Sequence, residues 1–581
     1  MKIAHRGRRA PLSEGPLRAS RTAAAALSTL AATALLSACY TDSNGLDPPQ
    51  EELYYPTNLV VSPGGKALYV TNSDFDLQYN GGTVQVLNLE GLREKARILQ
   101  KELQTGSGAA AACKTSLDLA TNPQSILHPG PCSPLALKGF VMETATIGAF
   151  ASSAVLVHDP KTKLARLFVS VRGDPSVTYF DVGNDSDPNA VTAPAGCSEA
   201  NPAFCLLCGQ SGETKRCGTQ HRVGEDATDS IRGLTLPVEP MGIAATEDGT
   251  ALVTVHQTEQ MASLIANYWQ PPSSIDPASS DKRPAEPYLE YYLGNLPFGP
   301  NDVVTLPSPR FLSVWDLAAS GVVPAYEKPI YEPGFLVTYR AANELSILRY
   351  HSDEGASPRR PFLTRDSGVH IDVSSVGDDS RGAAVDASER KACEAGCGEA
   401  DLACLLNCAT SVPLRFYVAN RTPPALLIGE IKTILVEEGE AADGSTRVTA
   451  AFEDASITDV VPLTFGPSRV AVGPIIDEAG ERRVRVFAVT FDSRLIFVYD
   501  PAASRIETVI RTGRGPHSVA FDTGVDKGKM EGEEDEAYSF MYVGHFTDSY
   551  IGVVDLDMRK PQTFGSMFLT VGKPVPPRES K

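Results

Sequence analysis

Apolar positions in this chain come in short runs separated by turn residues. From Pro56 to Asn72 the sequence reads Pro-Thr-Asn-Leu-Val-Val-Ser-Pro-Gly-Gly-Lys-Ala-Leu-Tyr-Val-Thr-Asn. A polar stretch follows, and then Gly82 to Leu89 reads Gly-Thr-Val-Gln-Val-Leu-Asn-Leu. β-Branched and aromatic side chains suit a pleated, half-buried surface, and Pro63-Gly64-Gly65 suits a tight turn. The pattern therefore predicts strand, turn, strand, loop, strand. A total of 43 Pro and 48 Gly fits many short strands better than long helices.

The unit recurs. Pro240 to Gln257 repeats it with Glu247-Asp248-Gly249 as the turn. Gly466 to Val472 opens another copy, completed by Val486 to Thr490 and Leu495 to Asp500. Gly515 to Phe521 opens a further one, completed by Met541 to His545 and Ile551 to Leu556. Partial copies fill the middle at Arg166 to Asp181, Phe335 to Leu348 and Arg415 to Ile428. That makes seven units, four clear and three fragmentary. A single such sheet cannot bury both faces, so packing against neighbours is what stabilises it. The unit resembles the YVTN β-propeller repeat, and Tyr69-Val70-Thr71-Asn72 is that tetrapeptide itself. The resemblance implies an all-β fold, a seven-bladed propeller over residues 56–575. Some seven-bladed relatives are lactonases that place His, Arg and carboxylates on one face.

A blade needs roughly 40 to 45 residues, so the chain carries a surplus. It falls in insertions expected near 91–146, 191–232, 268–330, 351–412 and 523–537. Pro271 to Pro309, rich in Pro, Ser and Asp, reads as a long surface loop. Long loops on a rigid scaffold are where recognition usually sits.

The first 38 residues read as a secretion signal. A basic segment precedes a small-residue and apolar run from Ala23 to Leu36. That run is too short to span a bilayer as a helix. It ends in Leu36-Ser37-Ala38-Cys39, which resembles the lipobox of bacterial lipoproteins. The resemblance implies cleavage before Cys39 and acylation of its thiol. Tyr40 follows, so the inner-membrane retention signal of an Asp there is absent, and the outer membrane is the expected address. Residues 39–55 read as a polar tether.

Formal net charge is −19. Six cationic residues and one acid in the first 38 give that segment +5, leaving −24 for the rest. Such a surface repels phosphate backbones, which argues against a nucleic-acid partner. Ten of the 11 cysteines remain after Cys39, an even number suited to disulfides in an oxidising compartment. They fall into three groups, each inside one insertion, so the bridges are expected to stiffen insertions rather than close the ring. Ser388 to Asn407 has helical composition, and Cys residues three or four apart share a helix face. A helical hairpin stapled by Cys393–Cys408 and Cys397–Cys404 is expected, with zinc at these or at Cys197, Cys205, Cys208 and Cys217 as the alternative.

Motifs for a nucleophile elbow, a zinc protease, a P-loop or a dinucleotide fold are missing from the sequence. Asp185-Ser-Asp187-Pro-Asn189 begins like a calcium loop but lacks its Gly and closing Glu. No cofactor or metal is expected. The loops after the second strand of each unit should emerge on one face. There they would present Arg172, Asp174, His256, Arg340, Arg421 and His545, together with Asp74 and Gln257. Such a rim suits an anion or a sugar acid. The expected function is an envelope binding or scaffold protein for a protein or glycan. The alternative is a lactonase-like hydrolase using Arg, His and Asp on that rim.

If Cys39 carries the lipid, the mature protein partitions into the detergent phase and Cys39→Ala does not. Membrane retention of the variant at the level of the parent would contradict the assignment.

Overall fold

The computed structural model describes residues 45–106, 108–122, 128–187, 189–212, 215–270, 285–318, 329–353, 360–366, 371–372, 377–399, 401–440, 446–526 and 535–575. Cys39 and the segment expected to be a secretion signal lie outside them. Among the described residues no helix is long and apolar enough to cross a membrane.

The described residues between 47 and 575 form a seven-bladed β-propeller. Blade 1 is built from Pro56–Val61, Ala67–Asn72, Gly82–Asn88 and Val141–Ile147, each strand antiparallel to the next. Blade 2 begins with Ala151–His158, Ala165–Val171 and Ser176–Val182, and its outer edge is two fragments, Leu206–Leu207 and Arg222–Val223. Blade 3 is Pro240–Ala245, Ala251–His256, Met261–Asn267 and Pro287–Leu293. Blade 4 is Pro300–Thr305, Gly334–Tyr339, Glu344–His351 and Phe362–Arg365. Blade 5 is Asp378–Asp386, Leu414–Thr422, Pro424–Glu440 and Thr446–Pro462. Blade 6 is Pro467–Ile476, Arg482–Thr490, Leu495–Asp500 and Arg505–Arg511. Blade 7 is Pro516–Asp526, Glu536–His545, Tyr550–Asp555 and Met567–Val571.

Side-chain alternation makes the ring. In the second strand of blade 1, Leu68 and Val70 pack toward blade 7, while Ala67 and Tyr69 pack toward blade 2. The same division gives one apolar seam between each successive pair of blades around the ring. Period two is thus what lets one blade serve two neighbours.

Every blade comes from its own stretch of chain, so nothing covalent joins blade 7 to blade 1. The insertion after the third strand of blade 1 supplies the closure. It begins with an unforeseen helix, Leu89–Gln104, whose Leu89, Leu92, Ala96 and Leu99 enter the seam with blade 7. Asn88 caps it, accepting from the Gly91 N–H at 2.9 Å. Beside that face Arg93 grips Asp522 of blade 7 through two hydrogen bonds of 2.8 Å, and Gln100 donates to Asp555 at 2.6 Å. Further along, Leu135 pairs with the outer strand of blade 7: its N–H donates to the Thr570 carbonyl and its carbonyl accepts from Gly572, both at 2.8 Å. The Cys113–Cys132 bridge holds this insertion together. The expectation that disulfides leave ring closure untouched is therefore corrected for this one bridge.

Other expectations change in detail. The segment 268–330 holds the outer strand of blade 3 and the first strand of blade 4, and 351–412 holds the outer strand of blade 4 and the first of blade 5. Their Pro and Asp content masked the strands. The end of the expected tether is docked: Leu53 and Tyr54 are buried, and the Gln50 and Glu52 carbonyls accept from Gln85 Nε2 at 3.0 Å. Helices Ser388–Ala395 and Leu402–Ser411 form the hairpin, bridged Cys393–Cys408 and Cys397–Cys404. The other group pairs Cys197–Cys205 and Cys208–Cys217. The sulfurs of Cys397, Cys404 and Cys408 lie close together because two bridges are adjacent, and bridged sulfurs offer no thiolate to a metal.

Breaking the closure tests its weight. Arg93→Ala leaves the carboxyl of Asp522, only 1% exposed, without its charged partner, and should cost about 3 kcal/mol in denaturant unfolding. Adding Asp522→Asn should recover part of that loss. Equal stability of parent and Arg93→Ala would show the pair to be idle.

Candidate functional site

The chain enters each blade along the inner strand, and the second strand returns to the same end. Pro56 pairs with Asn72, Pro240 with His256, Pro300 with Tyr339, Pro467 with Thr490 and Pro516 with His545. This end, the rim face, carries the connections from one blade to the next and those between second and third strands. The large insertions 89–140, 306–333 and 387–413 leave from the opposite face. The rim face is therefore mostly short-looped.

Its backbone is special in every blade. The residue before each first strand has positive φ: Tyr55 (49°), Phe150 (59°), Glu239 (55°), Gly299 (73°), Gly377 (120°), Gly466 (85°) and Gly515 (65°). Tyr, Phe and Glu are costly in that region. Within a few residues each first strand also shifts register against its partner. Such bulges turn the strand at the channel mouth. The Gly-Pro pairs at 299–300, 466–467 and 515–516 carried this signal in the sequence.

The predicted rim residues divide into two groups. Arg172, Arg340 and Arg421 lie on the rim face, partly exposed. Arg172 binds Glu239 at 2.6 Å, Arg421 binds Asp492, and Arg340 lies 3.7 Å from Asp379. Arg381, which the sequence reading missed, takes both oxygens of Asp379. Burial and the neighbouring Arg381 push the Arg340 guanidinium down, with Arg421 and Arg172 adding to the effect. Arg340 thus lies within electrostatic reach of the other three. Asp174 sits in the same turn as Arg172, its carboxylate near Gly148.

His256 and His545 are not rim groups. Both are fully buried. His256 places Nδ1 3.2 Å from the Val238 carbonyl and Nε2 2.7 Å from Ser263 Oγ. His545 stacks on Tyr550 at 4.1 Å, and its Nε2 accepts from the Gly513 N–H at 3.2 Å. Asn72 does the same work in blade 1, its Oδ1 accepting from the Tyr54 N–H at 3.3 Å. All three close the second strand and tie the incoming loop of their own blade. Burial pushes the His256 imidazole down to about 4 and His545 down to about 3. Asp185, considered for calcium, is also engaged: it accepts from Ser62 Oγ at 2.6 Å, Gly64 N at 2.8 Å and Lys66 N at 3.0 Å.

The remaining part of the face is aromatic. Phe546 of blade 7 meets Tyr55 at 5.1 Å, Phe75 at 5.2 Å and Phe491 at 6.2 Å, and Phe75 meets Phe150 at 5.8 Å. Beside Phe75, burial pushes the Asp74 carboxyl up to about 6.

No protein-family model matches the chain. No curated protein matches it either. Among solved structures it is similar to Kuenenia stuttgartiensis hydrazine synthase (10% identity, 89% of this chain and 99% of that one, TM-score 0.38). It is also similar to the periplasmic gluconolactonase of Pseudomonas aeruginosa (12%, 79% and 86%, 0.35). A third likeness is to a putative 6-phosphogluconolactonase from Bacteroides fragilis (12%, 80% and 86%, 0.34). At these identities and scores the likenesses carry no argument about activity.

The imidazoles give a direct check. The unfolded chain takes up protons near pH 6.5, whereas folded His256 stays neutral down to about 4. Its contribution is complete above 6.5 and is lost as pH falls toward 4, by about 1.4 kcal/mol per pH unit. The His256 ring resonances should stay flat from pH 8 to 5. Titration near 6.5 would place that ring in solvent.

Proposed function

We propose that this chain is an exported, lipid-anchored envelope protein whose rim face binds a partner, protein or glycan, without turnover. One observation carries the reading. The loops of the short-looped face carry large apolar side chains that are more than half exposed: Phe75 is 51% exposed, Leu77 60%, Phe298 64% and Phe465 65%. Phe298 stands beside Arg340 and Phe465 beside Arg421. Exposed aromatic side chains beside Arg make the composition of an interface core, and solvent alone gives no reason to hold them there. The Leu-Ser-Ala-Cys39 sequence supports the anchor, and the closed ring supplies a rigid disc to present the face.

A lactonase-like hydrolase is the second reading. Its two candidate imidazoles are buried and engaged, which removes the acid–base pair the rim was expected to hold. What favours it is Asp74, whose raised carboxyl lies nearer neutral pH, where a general base works best.

A photo-crosslinking residue at Leu77 or Phe298 should give a discrete adduct in whole envelopes. The same residue at Ile434 or Phe452, a cross-strand pair at the opposite end of blade 5, should not. Adducts from the blade 5 positions alone would contradict the assignment. So would lactone hydrolysis that disappears in Asp74→Asn.

A further inference from the structure

The arginines on the rim are unevenly matched with carboxylates. Arg172, Arg340, Arg381 and Arg421 face three carboxylates, Glu239, Asp379 and Asp492. The carboxylate paired with Arg340 among the described residues is Asp379, at 3.7 Å, and both of its oxygens are engaged by Arg381. At closer range Arg340 is met by a neutral group. With the Gln257 amide turned so that its oxygen faces the guanidinium, that oxygen accepts from Nη1 at 2.5 Å and Nε at 3.2 Å. A guanidinium held by an amide, 37% exposed and crowded by three other arginines, is a fork set for an outside carboxylate.

The surroundings define what carries that carboxylate. Phe298 lies beside Arg340, its carbonyl accepting from the Ala341 N–H at 3.3 Å. On the other side, the Arg421 guanidinium lies 6.0 Å from the Phe465 ring. Both phenylalanines are about two-thirds exposed. Phenyl rings offer no hydrogen bond to a sugar hydroxyl. The two tryptophans of the chain, better platforms for a sugar ring, are both buried. Apolar surface beside a cation therefore fits an acidic polypeptide with aromatic or aliphatic side chains. The chain as a whole is acidic, but at physiological salt a charge acts over only about 8 Å, so the nearby arginines decide.

Resting on the reading of the rim as a binding face, we propose that the segment around Arg340 captures an extended peptide of its partner in which Asp or Glu lies next to Phe, Leu or Tyr. The carboxylate displaces Gln257 from Arg340, and the apolar side chains cover Phe298 and Phe465.

The test is selection from a random dodecapeptide display library on the detergent-solubilised mature protein. The expected winners pair Asp or Glu with an aromatic or aliphatic neighbour and bind more weakly as salt rises. The best of them should lose about tenfold or more in affinity on Arg340→Gln, and less on Arg340→Lys. Thermal unfolding of both variants should match the parent, since Arg340 is a surface group. Winners without net negative charge, an affinity unchanged by Arg340→Gln, or no enrichment at all would overturn the proposal. So would saturable binding of oligogalacturonate that is lost in Arg340→Gln. If crosslinks still form at Phe298 while no acidic peptide is selected, the ligand class fails and the rim reading stands.

Discussion

A ring of seven blades, each folded from its own stretch of chain, has one weak place: the seam between last and first. Here that seam is held by side chains and by a crossing segment, not by a shared strand. The helix Leu89–Gln104 carries Arg93 to Asp522, and Leu135 borrows the edge of Thr570 and Gly572. Burial alone would push the Asp522 carboxyl up, and the Arg93 guanidinium opposes it. The pair works because each partner satisfies the other in a place water barely reaches.

The rim depends on that seam. Tyr55 and Phe546 come from the two sides of it and touch across it. Ser549 Oγ of blade 7 accepts from the Tyr55 N–H at 3.0 Å, and His517 Nδ1 lies 3.0 Å from the Thr57 carbonyl. The left-handed residue that opens blade 1 is thus fixed by blade 7. Elsewhere the inner strands are cross-linked more simply, as where Asn58 donates to the Ser152 carbonyl at 2.9 Å. Closure, backbone strain at the mouth and the aromatic half of the rim form one connected set.

Much of this was written plainly in the chain. Tyr69-Val70-Thr71-Asn72 and its echoes marked all seven blade cores, because alternation and turn chemistry are local. The helix after Asn88 carried its own signal in Leu89, Leu92, Ala96 and Leu99, spaced for one helical face, but it stood inside a stretch set aside as insertion. The outer strands near 287–293 and 362–365 were hidden by proline-rich and polar flanks. The rim was half legible. Arg172, Arg340 and Arg421 lie where the loops put them. His256 and His545 end their strands facing inward, as Asn72 does, and sequence position alone does not show the direction of the last side chain. Arg381 was invisible, since it stands on a first strand whose bulge turns it to the mouth.

The central claim is that the blade 1 insertion closes the ring and thereby holds the rim. Hydrogen exchange on Cys113→Ala/Cys132→Ala tests it most directly, since the bridge lies in the insertion and away from the rim. The account predicts faster exchange in two places together: the outer strand Met567–Val571 and the rim residues around Tyr55 and Phe546. The strands of blade 4 should keep the protection of the parent. Unchanged exchange at the seam, or loosening spread evenly over all seven blades, would contradict it.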